Sequence, residues 1–371
     1  MNNILFLANS GWNIVNFRED LIKKINKKKY KIIISCPNDN FIKDFLNKNS
    51  YEFIPIYFDR KSTNVLSNLK LFINIFFLYF KVRPKLVFMF TIKPNIFGNL
   101  VSFLYPFKNK QINFITGFGT FYLSDSFFKK LILILFKISF KKSYMTFFQN
   151  KNDYNYFISK NIVKKNNSRV IGGSGIDLIK FPFKNIQKKN KNNLTFLCAS
   201  RLIKDKGIIE YLEAAKNIKK KYRNITFILL GSIDKNNLSY LDSDTLKKYT
   251  MDYVKHYEFD FNIKKFLYNC DCAILPSYRE GASRFLLEAA STGRPIIATD
   301  VPGCNNIVFN NYNGYLCNKS STASLFNAIE KMINTPFNIR KSMSKSSRLV
   351  VENNFDINKV NNEILTDLKL Y

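Results

Sequence analysis

The chain has 371 residues, more than the ~250–300 at which a single hydrophobic core stops growing, so two domains are expected. An apolar share of 46 % with 37 Phe and 20 Tyr supplies ample core and excludes a disordered chain. The balance of 58 Lys and Arg against 27 Asp and Glu leaves a net charge of +31, which calls for an anionic partner: nucleic acid, phospholipid or a phosphate-bearing substrate.

The surplus is uneven. Residues 1–170 carry 28 basic and 8 acidic side chains, residues 171–371 carry 30 and 19. Part of it reads as biased codon composition, given the abundance of Lys, Asn, Ile and Phe.

The N-terminus opens on a strand pattern, ILFLA (4–8). It shows no charged n-region, long apolar stretch or cleavage site, so no signal peptide is expected and the chain is assigned to the cytoplasm. Helical stretches at 17–29 and 65–82 then alternate with β-rich runs at 31–36 (KIIISC), 85–90 (KLVFMF) and 112–116 (INFIT), the rhythm of a parallel α/β sheet. Two apolar stretches, 65–82 and 127–142, are broken by Lys or Asn before ~18 clean residues accumulate, so neither is expected to span a bilayer. After the polar run FKNIQKKNKNN (183–193) the rhythm repeats with strands at 194–200, 225–231, 272–277 and 295–300. The fold class expected is α/β with two doubly wound, Rossmann-like parallel-sheet domains, 1–178 and 194–355, joined by a linker at 179–193. Ligands of such sheets bind beyond the strand carboxyl ends, which places the expected site in an interdomain cleft.

The six cysteines lack paired metal or disulfide spacing and read as small core residues of a reducing compartment. Cys270-Asp271-Cys272 is a structural strand start, and no metal site is expected.

Two segments carry chemistry. PSYREGASRFLLEAASTGRP (276–295) reads as strand, turn and a helix from about Ser283 to Thr292 closed by Gly293. Glu280 and Glu288 lie eight positions apart, roughly 12 Å at ~1.5 Å per helical residue, about the length of a sugar diphosphate. Between them the N–H groups of Gly281, Ala282 and Ser283 form a helix N-terminus suited to an anionic diphosphate. In RLIKDKG (201–207), Arg201 and Lys206 leave a strand on one loop and Gly207 opens the next helix; two cations there suit a diphosphate leaving group.

Taken together with LANSGWNIVNFREDL near the N-terminus, TIKPNIFGNL (91–100), TGFGTFY (116–122), GGSGIDLIKF (172–181) and GRPIIATDVPGC (293–304), these segments make the whole chain resemble the retaining family-4 glycosyltransferases of the GT-B fold. Among these it is similar to N-acetylgalactosaminyltransferases that extend polyprenyl-diphosphate-linked sugars and to capsule and O-antigen transferases. The resemblance implies transfer of a hexose or N-acetylhexosamine from a nucleotide sugar, UDP-linked, to a lipid-linked saccharide in surface polysaccharide assembly. It implies that Arg201 and Lys206 bind the donor diphosphate, that Glu280 contacts hexose hydroxyls and that Glu288 binds ribose. Arg201, Lys206 and Glu280 form the expected catalytic set, and Gly11, Gly207, Gly281, Ala282, Ser283, Arg284 and Glu288 the donor-binding set. Asn13, Thr91, Lys93, Asn95, Thr116 and Gly117, which follow strands of the first domain, are the acceptor-side candidates. A C-terminal helix at about 356–371 is expected to pack back on the first domain. Ser283, Phe285 and Phe259 depart from the family pattern, which leaves the donor sugar open.

The only histidine, His256, lies beside a strand of the second domain and reads as structural. An inverting reaction needs a base at the acceptor hydroxyl; its lack here fits a retaining front-face reaction in which the leaving diphosphate takes the acceptor proton. No DxD-type motif stands at a strand end, and Asp242-Ser243-Asp244 reads as a turn or cap, so no metal and no cofactor beyond the nucleotide sugar are expected. Lys130, Lys137 and Lys141 form a cationic stripe on an apolar helix, fit either for docking on anionic lipid at the inner face of the cell membrane or for reaching water from a core helix. A soluble acceptor or a GT-B-type sugar epimerase remains open beside this reading. A polyanion-binding protein is disfavoured, because aromatics and cations are not interleaved as nucleic-acid modules require. Oligomeric state leaves no mark in the sequence.

Overall fold

The computed structural model describes residues 2–25, 29–58, 64–117, 127–234, 237, 239–250, 252–260 and 262–370. The chain divides into two compact units, Met1–Gly175 with Ile357–Tyr371, and Ile176–Asp356.

The first unit runs β1 (Asn2–Leu7), α1 (Gly11–Phe17), α2 (Glu19–Lys24), β2 (Tyr30–Ser35), α3 (Asn40–Lys48), β3 (Glu52–Phe53), α4 (Val65–Val82), β4 (Leu86–Phe90), α5 (Ile92–Leu104), β5 (Lys110–Ile115), α6 (Phe127–Ser139), β6 (Ser143–Phe148), α7 (Lys151–Ser159) and β7 (Ser168–Val170). Its seven strands pair in the order β3-β2-β1-β4-β5-β6-β7, every pair parallel. Helices cover both faces of such a sheet, so the central strands are apolar on both sides: Ile4 to Leu7 and Leu86 to Phe90 are all buried. Phenylalanine supplies the ladder across the sheet. The rings of Phe6 and Phe88 stack at 4.7 Å, and Phe114 continues the row to Phe147 at 5.2 Å.

Of the helix expected at 17–29, α2 (19–24) is helical, Phe17 is the last residue of α1, and residues 26–28 lie outside the described residues. Arg18 breaks the turn with φ −128° between α1 and α2, and α2 ends at Lys24.

The second unit comprises β8 (Thr195–Ala199), α8 (Ile208–Lys221), β9 (Thr226–Leu230), α9 (Ser243–Thr250), β10 (Lys255–Tyr257), α10 (Ile263–Asn269), β11 (Cys272–Leu275), α11 (Arg284–Ser291), β12 (Ile296–Thr299), β13 (Gly314–Cys317), α12 (Thr322–Asn334) and α13 (Phe337–Asn354). Its sheet is again parallel, in the order β10-β9-β8-β11-β12-β13. The last helix, α14 (Ile357–Leu368), belongs to the first unit, where Val360, Ile364, Leu365 and Leu368 join the core of β1, β4 and β5.

The stretch expected as a linker, 179–193, is built into the second unit. Phe181 and Ile186 are buried. The Phe181 carbonyl accepts from Ser291 Oγ and from Arg348, the Lys184 carbonyl accepts from Arg294, and Lys189 pairs with Asp271 at 2.8 Å. Most polar side chains of 183–193 face solvent, while buried Ile186 and the backbone carbonyls hold the segment to the unit. The chain passes between the units at Gly175 and again at Asp356, where Ile176 N–H donates to the Phe355 carbonyl at 2.7 Å.

Candidate active site

In the second sheet the strand order reverses between β8 and β11, the switch point at which open α/β sheets bind ligands. The loops that leave β8 and β11 meet there because one of them has a glycine. Gly207 has φ +68°, and a Cβ on it would stand 2.0 Å from the Pro276 carbonyl oxygen; no other residue lets the two loops close. The contact is sewn by Tyr278 N–H to the Asp205 carbonyl at 2.9 Å and by Tyr278 Oη to Glu210 Oε1 at 2.6 Å, with burial pushing the Tyr278 phenol up to about 12.

The closure brings Lys206 Nζ onto Glu280 Oε1, with only 18 % and 13 % of the two side chains exposed. Glu280 is held from its other side by the loop after β12. Its N–H donates to the Pro302 carbonyl at 3.0 Å, and a Cβ on Gly303 (φ +82°) would fall 2.5 Å from the Glu280 backbone. A carboxylate that accepts from hydroxyls and an ammonium that neutralises anions therefore sit side by side, fixed by two left-handed glycines.

Helix α11 begins beyond this turn. Ser283 is its N-cap, the hydroxyl accepting from Leu286 N–H, and Gly293 (φ +76°) follows its last turn. Only residues 284–291 are helical, so the roughly 12 Å expected from eight helical steps between Glu280 and Glu288 does not apply: four of those steps lie in the turn. Gly281 and Ala282 lie in that turn, ahead of the cap. Glu288 receives Arg284 Nε at 2.9 Å, and burial raises its carboxyl above the usual range despite that partner. The Arg284 side chain is thereby committed to Glu288. Arg201, the most exposed of the expected set, pairs with Asp234 at 3.0 Å, a partner that no spacing in the sequence signals. His256 Nε2 lies 2.8 Å from the Gly231 carbonyl within the β9–β10 pair, and Asp242 caps α9 through Thr245 N–H at 2.7 Å.

The first unit offers a second group at the ends of β1, β4 and β5. Thr91 follows β4 with φ +75°, a conformation that costs a β-branched residue about 1–3 kcal/mol and is kept where a site needs it. Its Oγ1 is buried without a hydrogen-bond partner, as is Asn13 Oδ1. Lys93, Thr116 and Gly117 are half-buried nearby along the chain; of the TGFGTFY segment, positions 118–122 lie outside the described residues.

Two expectations fail here. Asn95 does not face a ligand: it is fully buried, its amide donates to the Phe114 carbonyl at 3.0 Å, and its own carbonyl accepts from Asn99, which donates on to Asn113. Such a chain of buried amides ties α5 to β5 and is a packing device. Gly11 does not offer its N–H to a phosphate, because Asp39 Oδ2 takes it at 2.8 Å; the glycine is needed because a Cβ would stand 2.2 Å from the Asp39 carboxylate. One residue escaped the sequence reading. Arg18 is 2 % exposed, its guanidinium stacked 4.3 Å over Phe90 and 5.2 Å over Phe114, and among the described residues no carboxylate pairs with it. Followed directly by Glu19 and Asp20, it reads in the sequence as an ordinary surface charge.

Residues 180–350 match the glycosyl transferases group 1 family and residues 3–150 the glycosyl transferase 4-like family. The N,N'-diacetylbacillosaminyl-diphospho-undecaprenol alpha-1,3-N-acetylgalactosaminyltransferase of Campylobacter jejuni is 28 % identical over 354 residues, 88 % of each chain. The capsular polysaccharide biosynthesis glycosyltransferase CapM of Staphylococcus aureus is 25 % identical over 357 residues, covering 90 % of this chain and 88 % of that one. Among solved structures, Anabaena Alr3699/HepE in complex with UDP and glucose superposes over 100 % of both chains with a TM-score of 0.78 at 18 % identity.

Proposed function

The chain belongs to the group 1 and 4-like glycosyltransferases of the GT-B fold, and on that premise we propose that it moves a hexose or N-acetylhexosamine from a UDP-sugar to a polyprenyl-diphosphate-linked saccharide, with retention of configuration, in surface polysaccharide assembly at the inner face of the cell membrane. The observation that carries this reading is the Lys206–Glu280 pair clamped at the sheet's switch point by Gly207 and Gly303. The C. jejuni relative is named for a diphospho-undecaprenol-linked acceptor, and the Anabaena structure contains UDP.

In the proposed reaction the bond between the sugar anomeric carbon and the diphosphate oxygen breaks, and the acceptor oxygen forms its bond from the same face. The acceptor proton passes to the leaving diphosphate, so no side chain is needed as base. Lys206 and Arg201 exchange Glu280 and Asp234 for the diphosphate and stabilise the charge that builds there. Glu280, freed of Lys206, accepts from the hexose hydroxyls, and Glu288 from ribose. Lys206 and Arg201 supply the positive charge that a metal would otherwise bring to the diphosphate, and the reaction is proposed to run without metal.

The test is transfer from a panel of UDP-, GDP- and ADP-sugars, with membranes as acceptor source and EDTA present, beside a Glu280→Gln control. Transfer of one sugar to lipid that survives EDTA and collapses in the variant is expected. Turnover only with added divalent metal, or none with any nucleotide sugar, refutes the proposal.

A further inference from the structure

Helix α4 is packed on one side only. At ~100° per residue, Leu71, Ile75, Leu78, Tyr79 and Val82 share one face and are buried against β1 and β4. On the opposite face Val65 (78 % exposed), Leu66 (75 %), Leu69, Ile73, Phe77 (65 %) and Phe80 lie in solvent. Those six fall within a stripe roughly 120° wide, with exposed Lys70 and Lys81 along one edge. The outer face of a core helix in a water-soluble domain is ordinarily polar. This one is apolar along its whole length.

The apolar surface continues beyond the helix. The Phe80 ring lies 5.4 Å from Tyr105, which lies 5.3 Å from exposed Phe107, and Phe103 and Leu104 at the end of α5 are exposed beside it. Arg83 and Lys142 sit over Phe107 and Phe103. A contiguous apolar surface of this kind marks a site of association.

Charge decides with what. Residues 60–124 hold nine lysines and arginines and not one acid. A second copy of the chain presenting the same face would set cation against cation, whereas anionic headgroups complement it. α4 is long and apolar enough to cross a membrane, but its inner face is already committed to the sheet. The geometry that satisfies both faces is a helix lying in the plane of the interface.

We propose that the outer face of α4, with the end of α5, is the surface on which this protein lies on an anionic bilayer, the apolar stripe entering the acyl boundary and Lys70, Lys81, Arg83, Lys85 and Lys108 meeting headgroups. The same pattern recurs on α6, where Leu131, Ile134 and Ile138 are exposed beside Lys130 and Lys137, with Lys141 exposed in the turn that follows; that lysine stripe is the smaller part of the surface. The choice of a lipid rather than a soluble polyanion rests on the lipid-linked acceptor proposed above.

The experiment is flotation of the full chain with phosphatidylglycerol-rich and with pure phosphatidylcholine vesicles, without donor or acceptor. The wild type is expected to float with the former and, in raised salt, to lose binding. Leu69→Asp with Phe77→Asp, and separately Lys70→Glu with Lys81→Glu, are expected to weaken binding by roughly tenfold or more, with unchanged thermal midpoints because the sites are exposed. All six native cysteines are buried, so Phe77→Cys labelled with an environment-sensitive dye gives a second readout, a blue shift on vesicle addition. Three results overturn the proposal: a wild type that stays at the bottom of the gradient; α4 variants that float unchanged while reversal of Lys130, Lys137 and Lys141 abolishes flotation; or a dimer in solution that Phe77→Asp splits, which assigns the face to a second copy. A chain that floats but transfers no sugar retains the docking surface and loses the transferase reading. One that transfers sugar to lipid without floating does the reverse.

Discussion

Replacing Arg18 by Met should make the protein more stable. Burial lowers the guanidinium from its ordinary 12.5 to about 9, with desolvation the sole cause; at about 1.4 kcal/mol per pH unit this corresponds to a cost of about 5 kcal/mol for keeping the charge inside the core at neutral pH. The two aromatic faces against it, Phe90 and Phe114, return up to ~2 kcal/mol each when desolvated. The difference is about 1–3 kcal/mol against the charge. Met removes the charge; it ends about where the guanidinium begins, so its thioether keeps part of the ring contact and the apolar site closes over the rest. For a unit of about 190 residues this raises the thermal midpoint by roughly 3–8 °C. Trp12 is the only tryptophan and lies in the same unit, so its fluorescence on heating and in urea reports the domain that holds Arg18. A loss of stability of ~3–5 kcal/mol, as follows breaking a buried ion pair, would refute the reasoning, since it would mean that a carboxylate meets the guanidinium.

The remaining predictions concern the second unit. Lys206→Met leaves Glu280 unpaired and should cost about 2 kcal/mol in urea denaturation, less than a fully buried pair because both ends keep some solvent; Glu280→Gln should leave stability nearly unchanged and lower kcat/KM by about 100-fold or more. Gly207→Ala forces a Cβ against the Pro276 carbonyl at a positive φ and should destabilise by about 2–4 kcal/mol, with loss of transfer activity even where the variant still folds. Because the Glu288 carboxyl is raised in the folded state, chiefly by burial, the native protein binds more protons than the unfolded chain just above the ordinary glutamate value of 4.5. Stability should therefore fall as pH rises through that window, and Glu288→Gln should flatten this part of the pH–stability profile; an unchanged profile in the variant would show that Glu288 is solvated.

The sequence by itself determined the two parallel sheets, because strands buried on both faces must be written as unbroken apolar runs and the helices between them as polar-flanked ones. It also singled out Arg201, Lys206 and Glu280 in the loops after β8 and β11 and Glu288 on the helix beyond, in motifs whose spacing is local. The break at Arg18 was not legible there, nor was the second unit's hold on 179–193, because each depends on contacts with residues far along the chain. Only tertiary structure decided that Gly11 serves Asp39, that Asn95 is spent inside an amide chain under α5, and that Arg201 meets Asp234. It also decided the character of 65–82. A run of Leu, Ile and Phe with a few lysines reads alike whether its helix is buried, spanning or interfacial. Periodicity fixes which residues share a face, and only the packing of neighbouring elements determines which face is left for water.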